Sequence, residues 1–434
     1  MSTLTVGILA LIVMLVLMML RVPIALSMAL PAIAGILYLK NWSVLETVVG
    51  SVFWTHSLSY TLSTIPMFLW MGEMLTSSGI SSELYKACRL WFGKFKGGLS
   101  IATIGASAIF AAASGSSVAN TGTIGMMASK EMLDQKYSKV LSSGSIVAGG
   151  TLGILIPPSG FLIIYGMMTE QSIGKLLLAG VIPGIILALL FVITIIISVR
   201  LKPDMAPAGE SYSFKERFLS LKSTFWVILL FVVVIGGMFI GLFGPTEAAG
   251  IGAFVSTILA WAKGSLNWNV IKQTLIRTAT TSGFLFAIIL CAFLFNYLLT
   301  ISKVPTAFSQ ALASAGLSPH VTFICIAIMF LILGALMDSM AVLVVTVPFV
   351  IPLINDMGHD LIWFGIVMCM LVEISLISPP HGMNIMVLNG VVPEYGIGKI
   401  YMGALLFMIP IVFMIILLYF FPEIALFLPE RMIQ

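Results

Sequence analysis

Apolar runs long enough to cross a lipid bilayer recur from one end of this 434-residue chain to the other. A membrane-spanning helix needs roughly 20 consecutive residues that are mostly apolar. Only 9% of the residues are charged and the mean hydropathy is +1.14, whereas a soluble domain carries about 25% charged residues. Because helices satisfy their own backbone hydrogen bonds within lipid, these runs predict an all-α polytopic membrane protein.

Two polar or proline-rich interruptions divide the first half of the chain. The stretch "FAAASGSSVANTGTIG" at 110–125 lies in an apolar region too short for two full spans, so we predict a re-entrant hairpin at about 99–128. A span at about 138–169 is broken by "GILIPPSG". Tandem prolines remove backbone donors and disfavour the helical conformation of the residue before them, which predicts an unwound segment.

The second half repeats this plan. We predict a hairpin at about 321–354 with "GALMDSMAV" at its tip, and a span at about 361–390 that is broken by "LISPPHG". Pro157 and Pro379, Pro23 and Pro245, and the segments "SSVA" and "DSMA" are each separated by the same offset of 222 residues. The shared offset and order indicate an internal duplication with halves at 1–222 and 223–434.

Each half contains five predicted crossings and one hairpin. Because five is odd, the second copy enters the membrane upside down, and the chain becomes an inverted repeat of the kind found in secondary transporters. With this topology, 17 of the 21 Lys and Arg residues lie on one side of the membrane. The positive-inside rule makes that side cytoplasmic, so both termini are expected to face the periplasm.

The hairpin tips and the broken helices offer free helix ends near the middle of the membrane. Unwound carbonyls and the C-terminal ends of half-helices suit a sodium ion, and an intramembrane carboxylate such as Asp338 is costly and usually functional. Simple packing of small residues at helix contacts is the alternative reading. We assign the sodium-binding positions to Ser114, Ser116, Ser117, Asn120, Gly153, Pro157, Pro158, Gly334, Asp338, Ser339, Ser378, Pro379, Gly382 and Met383.

Helix N-termini at the same tips present N–H groups that favour an anion. We therefore assign substrate contacts to Asn120, Thr121, Ser159, His381 and Asn384. Glu73, Glu247 and Glu373 also lie at or near membrane depth, where a carboxylate caps a helix, pairs with a cation or relays protons. No cofactor is expected besides sodium as the coupling ion, and no enzymatic activity is expected.

Five segments together resemble the large membrane subunit of tripartite ATP-independent periplasmic (TRAP) transporters. They are "ASGSSVANTGTIG", "GTLGILIPPSG", "GPTEAAG", "GALMDSMAVLVVTVPFVIPLI" and "ISPPHGMNIMVLNG". The resemblance covers essentially the whole chain. It implies the ion-transporter superfamily fold, with a scaffold and a mobile, elevator-type transport domain that carries both hairpins. The family's sodium-binding segments correspond to Ser114–Asn120, Gly153–Pro158, Gly334–Ser339 and Ser378–Met383.

The same resemblance implies a function and partners. The implied function is sodium-driven uptake of a carboxylate-bearing organic acid, of the C4-dicarboxylate or sialic acid type, across the bacterial inner membrane. The implied partners are a small four-span membrane subunit and a soluble periplasmic binding protein. Because the chain begins with the large subunit's first span, we expect the small subunit to be a separate polypeptide.

Three other functions fit parts of the sequence. A proton-coupled transporter or antiporter of the same superfamily is the main alternative, and the driving gradient distinguishes it. A channel also uses broken helices, but re-entrant hairpins from opposite sides favour alternating access. An intramembrane hydrolase that uses Ser117 or Ser159 with His381 leaves the duplication unexplained.

Overall fold

The fold is built from α-helices and short 3-10 turns in the part of the chain that the computed structural model describes, which comprises residues 1–207, 209, 212–314, 316–380 and 382–432. The helices of the first half are α1 (Thr3–Met19), α2 (Ile24–Leu39), α3 (Trp42–Ser57), α4 (Thr64–Ser77), α5 (Ile80–Phe92), α6 (Gly98–Ser114), α7 (Ser117–Asp134), α8 (Lys139–Leu155), α9 (Gly160–Thr169) and α10 (Ile173–Leu201). Those of the second half are α11 (Phe214–Phe239), α12 (Pro245–Ala262), α13 (Trp268–Ser302), α14 (Val304–Ser314), α15 (Pro319–Leu336), α16 (Ser339–Asp356), α17 (Leu361–Leu376), α18 (Met383–Val391), α19 (Ile397–Phe420) and α20 (Glu423–Glu430).

Length and apolar composition identify the helices that are able to cross a membrane. Within the described residues, six stretches meet both criteria: Lys139–Thr169, Ile173–Leu201, Trp268–Ser302, Pro319–Leu336, Ser339–Asp356 and Ile397–Phe420. The pair Phe214–Leu221 and Thr224–Phe239, bent by 47°, makes a seventh if it is one span. Four shorter apolar helices, α1, α2, α6 and α17, add to this set. The all-α membrane architecture predicted from the sequence is confirmed.

Each segment in which a hairpin or a break is expected contains two consecutive helices. The expected hairpin at 99–128 corresponds to α6 and α7, and the one at 321–354 corresponds to α15 and α16. The broken span at 138–169 is α8 and α9, and the one at 361–390 is α17 and α18. Both breaks contain a cis peptide bond, Pro157–Pro158 in the first and Pro379–Pro380 in the second.

The sequence does not indicate three of the helices, α3, α14 and α20. Its apolar run at about 281–299 predicts a membrane span there, whereas α13 begins well before that run. The first thirteen residues of α13, "WNVIKQTLIRTAT", include charged residues and threonines, so the hydropathy of this segment does not predict a membrane helix. A capping residue does indicate where this helix begins. The Asn267 side chain accepts the Val270 N–H and caps α13 at its N-terminus.

Helix contacts place the hairpins and the breaks together. Both arms of the first hairpin pack against α8, and both arms of the second pack against α17. In addition α7 contacts α18, and α16 contacts α9, so the second arm of each hairpin touches the broken helix of the other half. A separate set of contacts joins α4 to α12 and α13, and α13 to α2.

Candidate functional site

The first hairpin turns within two residues, Gly115 and Ser116. Gly115 adopts the left-handed conformation at φ +58° and ends α6, a position where glycine has no steric penalty. Ser116 is extended, and its hydroxyl accepts the Ala119 N–H at 3.4 Å to cap α7. The C-terminus of α6 and the N-terminus of α7 therefore lie next to each other at the tip.

The tip of the first hairpin packs directly against the break between α8 and α9. A Cβ built on Gly153 would lie 2.6 Å from the carbonyl carbon and oxygen of Ser116, and one built on Gly115 would lie 2.9 Å from the Pro158 oxygen. Only a residue without a side chain at 153 lets α8 approach the tip backbone this closely. The structure thus brings together three positions that the sequence analysis placed at one sodium site, namely Ser116, Gly153 and Pro158.

Buried side-chain oxygens line the first turns of α7. Asn120 and Thr121 are fully buried, and the Asn120 amide nitrogen donates to the Ser107 and Gly149 carbonyls at 3.1 and 3.2 Å. Among the described residues, the Asn120 Oδ1 and Thr121 Oγ1 atoms have no hydrogen-bond partner. Because buried polar atoms are nearly always paired in proteins, these two oxygens are candidate contacts for a bound group.

Glu373 joins this tip from α17, in the other half of the chain. The Ser117 hydroxyl donates to Glu373 Oε1 at 2.5 Å, and both residues are buried. The second carboxylate oxygen, Oε2, has no hydrogen-bond partner among the described residues. An ionised carboxylate buried this completely is costly unless a cation or further donors face it.

From the sequence, Glu373 is one of three glutamates near membrane depth and is not among the predicted sodium ligands. The other two behave as ordinary paired carboxylates, because Glu73 lies 3.5 Å from Arg277 and Glu247 accepts the Tyr60 hydroxyl at 3.0 Å. The signal that set Glu373 apart was its position in "MLVEISLIS", an apolar run just before a proline break. Its contact with Ser117 was not foreseeable from spacing alone.

The second hairpin tip is capped by its own carboxylate. Asp338 Oδ1 accepts the Met340 and Ala341 N–H groups at 2.8 and 3.2 Å and begins α16. Gly334 lies against α17, since a Cβ built there would be 1.8 Å from the Ser375 hydroxyl oxygen. Ser339 is half-buried in the first turn of α16. The second tip therefore contacts α17 one turn before its break.

The second break is more exposed than the first. Ser378 is buried and its hydroxyl donates to the Ile374 carbonyl at 2.6 Å, whereas Pro379 and Met383 are exposed. Gly382 begins α18 at φ +50°. No hydrogen bond among the described residues joins Asp338 to this break, so their grouping in one sodium site remains a prediction.

The predicted substrate contacts differ in their surroundings. Asn384 is fully buried, and within the described part of the chain neither atom of its amide is hydrogen bonded. The Ser159 hydroxyl donates to the Ile154 carbonyl at 2.5 Å and accepts the Leu162 N–H at 3.3 Å, so it is engaged within the broken helix. His381 lies outside the described residues. The assignment of these residues to the substrate stays a prediction.

Each hairpin packs against the broken helix of the opposite half. A Cβ built on Gly125 would lie 3.1 Å from Leu388 on α18, and one built on Gly160 would lie 3.8 Å from Met340 on α16. The second half of each broken helix is thus covered by the hairpin of the other half.

Comparison with known proteins agrees with this architecture. Residues 11–424 match the family model described as "Tripartite ATP-independent periplasmic transporter, DctM component". The chain is 35% identical over 373 residues to the C4-dicarboxylate TRAP transporter large permease protein DctM of Pseudomonas aeruginosa, covering 86% of each chain. It is 30% identical over 379 residues to the sialic acid TRAP transporter large permease protein SiaM of Vibrio cholerae, covering 86% of this chain and 87% of the relative.

A solved structure supports the fold independently of sequence. The YdaH transporter of Alcanivorax borkumensis superimposes with a TM-score of 0.58 at 13% identity, over 88% of this chain and 89% of that one. The match of the family model over nearly the whole chain, together with the motifs at both hairpins and both breaks, gives one conclusion. The chain belongs to the DctM component family, the large membrane subunits of tripartite ATP-independent periplasmic transporters.

Proposed function

We propose that this uptake subunit carries a carboxylate-bearing organic acid across the bacterial inner membrane and couples its entry to sodium. The observation that carries the proposal is a pair of buried oxygens at the first tip that have no hydrogen-bond partner among the described residues, namely Asn120 Oδ1 and Glu373 Oε2. Hard oxygen ligands of this kind suit a small cation such as sodium. A cation there would also compensate the charge of Glu373.

The proposed first sodium site comprises the tip from Ser114 to Asn120 and the break from Gly153 to Pro158. The close approach of Gly153 to the Ser116 carbonyl supports this grouping. The proposed second site comprises the tip from Gly334 to Ser339 and the break from Ser378 to Met383. There Asp338 supplies the charge, and the α15–α16 tip and the α17 break supply backbone carbonyls. We propose that the two sites are related by an inverted repeat with halves at 1–222 and 223–434.

The substrate is proposed from the chemistry shared by two relatives. One is named for C4-dicarboxylates and the other for sialic acid, and both compounds are carboxylate anions. The N-termini of α7 and α16 lie at the two tips, where helix N–H groups favour a carboxylate. We place the acid between the tips, in contact with Asn120, Thr121 and Asn384, and keep Ser159 and His381 in the proposed set.

The proposed transport cycle has four stages. A periplasmic binding protein docks on the outer face and releases the acid between the tips. Sodium ions bind beside the tips, order them and offset the charge of the acid. The domain that carries both hairpins then moves relative to a scaffold, which includes α2, α4, α12 and α13, and opens to the cytoplasm. A separate small membrane subunit completes the complex, and both termini of this chain face the periplasm.

Proton coupling is the second candidate, and one observation favours it. Glu373 is fully buried with Ser117 as its hydrogen-bond donor, an arrangement that a neutral, protonated carboxyl tolerates better than a charged one. The two candidates predict different driving gradients.

Uptake by proteoliposomes distinguishes these candidates. The chain is reconstituted with its small subunit, and radiolabelled succinate and sialic acid are each supplied with the matching binding protein. We expect an inward sodium gradient to drive accumulation of one acid at constant pH. We expect a pH gradient without sodium to drive none. Accumulation that follows the pH gradient and ignores sodium would instead establish the proton-coupled alternative.

A further inference from the structure

A large cavity lies at the elbow between α5 and α6, away from both hairpin tips. It has a volume of about 700 Å³ and is lined by the ends of α5 and α6, by α10 and by Pro203. Gly97 forms the elbow at φ +77°, and a Cβ built on it would lie 3.1 Å from both Ile195 and Val199 of α10. Because Gly97 has no side chain, the turn between α5 and α6 packs directly against α10. The cavity lies beside this contact.

The cavity has mostly apolar walls and includes two cationic residues. Phe92, Phe95, Ile196 and Val199 contribute to its walls, and Phe95 and Ile196 are 57% and 37% exposed. Lys96 and Arg200 line the same cavity. Within the described part of the chain neither of these two cations forms an ion pair, because the salt bridges there involve other Lys and Arg residues.

The position of the cavity relative to the bilayer follows from α10. This helix has 29 residues, and half of its most apolar stretch is exposed, so its outer face is available to acyl chains. Lys96 and Arg200 belong to the basic residues that the charge distribution places on the cytoplasmic side. On this predicted topology, the cavity lies at the cytoplasmic headgroup level, beside the hydrocarbon region.

We propose that this cavity binds an anionic phospholipid of the cytoplasmic leaflet. The phosphate of the headgroup lies between Lys96 and Arg200, and an acyl chain lies along Phe92, Ile196 and Val199. Basic pockets between membrane helices on the cytoplasmic side bind such headgroups. Two cations beside an apolar wall fit one amphiphile with one anionic group. Because α6, the first helix of the first hairpin, begins at this elbow, the lipid would stabilise the end of the hairpin opposite its tip.

Native mass spectrometry of the purified full-length chain, incubated with phosphatidylglycerol or phosphatidylcholine, tests the proposal. We expect the wild type to retain phosphatidylglycerol in preference to phosphatidylcholine. The double variant Lys96→Gln/Arg200→Gln is expected to lose this preference by about tenfold, while Lys96→Arg/Arg200→Lys keeps it. Soluble glycerol phosphate at the same concentration should not displace the lipid.

Matched controls separate this site from general surface charge and from misfolding. Lys272→Gln/Lys399→Gln removes two exposed cations from the same predicted face, outside the cavity, and should leave retention unchanged. Ile196→Trp fills the apolar wall and should reduce retention of both lipids. Equal retention of the two lipids by the wild type, or an unchanged preference in Lys96→Gln/Arg200→Gln, would overturn the proposal. Displacement of the lipid by the small membrane subunit would also overturn it and identify the cavity as a partner interface.

Discussion

Asp338→Asn is expected to raise the sodium concentration for half-maximal uptake by about ten- to a hundredfold, since a charge-assisted contact contributes about 1.5–3 kcal/mol. Asparagine keeps the cap of α16, because its side-chain oxygen accepts the Met340 and Ala341 N–H groups as the aspartate does. The substitution therefore removes the charge and preserves the local structure. Sodium-dependent uptake by proteoliposomes, measured at constant membrane potential, gives the value.

Asp360 provides a matched control for this experiment. Its Oδ1 caps α17 by accepting the Ile362 and Trp363 N–H groups at 2.7 and 3.1 Å, the same geometry that Asp338 has. We expect Asp360→Asn to leave the sodium response unchanged. If both variants respond to sodium as the wild type does, Asp338 serves only as a helix cap and its place in the sodium site is wrong.

Gly153→Ala is expected to reduce uptake by about tenfold or more, because overpacking costs about 1–3 kcal/mol. The added methyl group would meet the backbone of Ser116 and Ser117 at 2.6–2.7 Å, and backbone atoms have no rotamer by which to move aside. The first tip has to shift away from the break, which separates groups of the proposed first sodium site. Initial uptake rates, normalised to the amount of folded protein, measure the effect.

Gly283→Ala is the control for Gly153→Ala. It also lies within a membrane helix, α13, but a Cβ built on it meets nothing within 4 Å. Alanine has the better helix propensity there, so uptake and thermal stability should match or slightly exceed those of the wild type. Normal uptake by Gly153→Ala would show that tip and break need not touch for transport.

The hairpins and breaks were predictable from sequence because local chemistry determines them. Glycine and serine at 115–116 reverse the chain, and the tandem prolines at 157–158 and 379–380 prevent a continuous helix. Their common offset of 222 residues identified them as pairs. The positions of Ser116 and Asp338 as the caps of α7 and α16 agree with that offset.

The side-chain contacts between distant residues depend on tertiary packing, which produces no periodic pattern in the sequence. Ser117 and Glu373 are separated by 256 residues, and the helix that carries Glu373 is buried all round, so no amphipathic stripe indicates which way the carboxylate points. Likewise, the hydroxyl of Ser159, a predicted substrate contact, donates to the Ile154 carbonyl, and nothing in the sequence indicates that contact. A side chain's residue type does not reveal which neighbour it selects.

Simultaneous measurement of sodium-22 and radiolabelled acid entry into proteoliposomes tests the central claim most directly. The complex is reconstituted with its small subunit and the acid-loaded binding protein. We predict sodium entry that rises in proportion to acid entry and stops when the acid or the binding protein is omitted. Acid accumulation without any accompanying sodium entry would contradict sodium coupling at the hairpin tips.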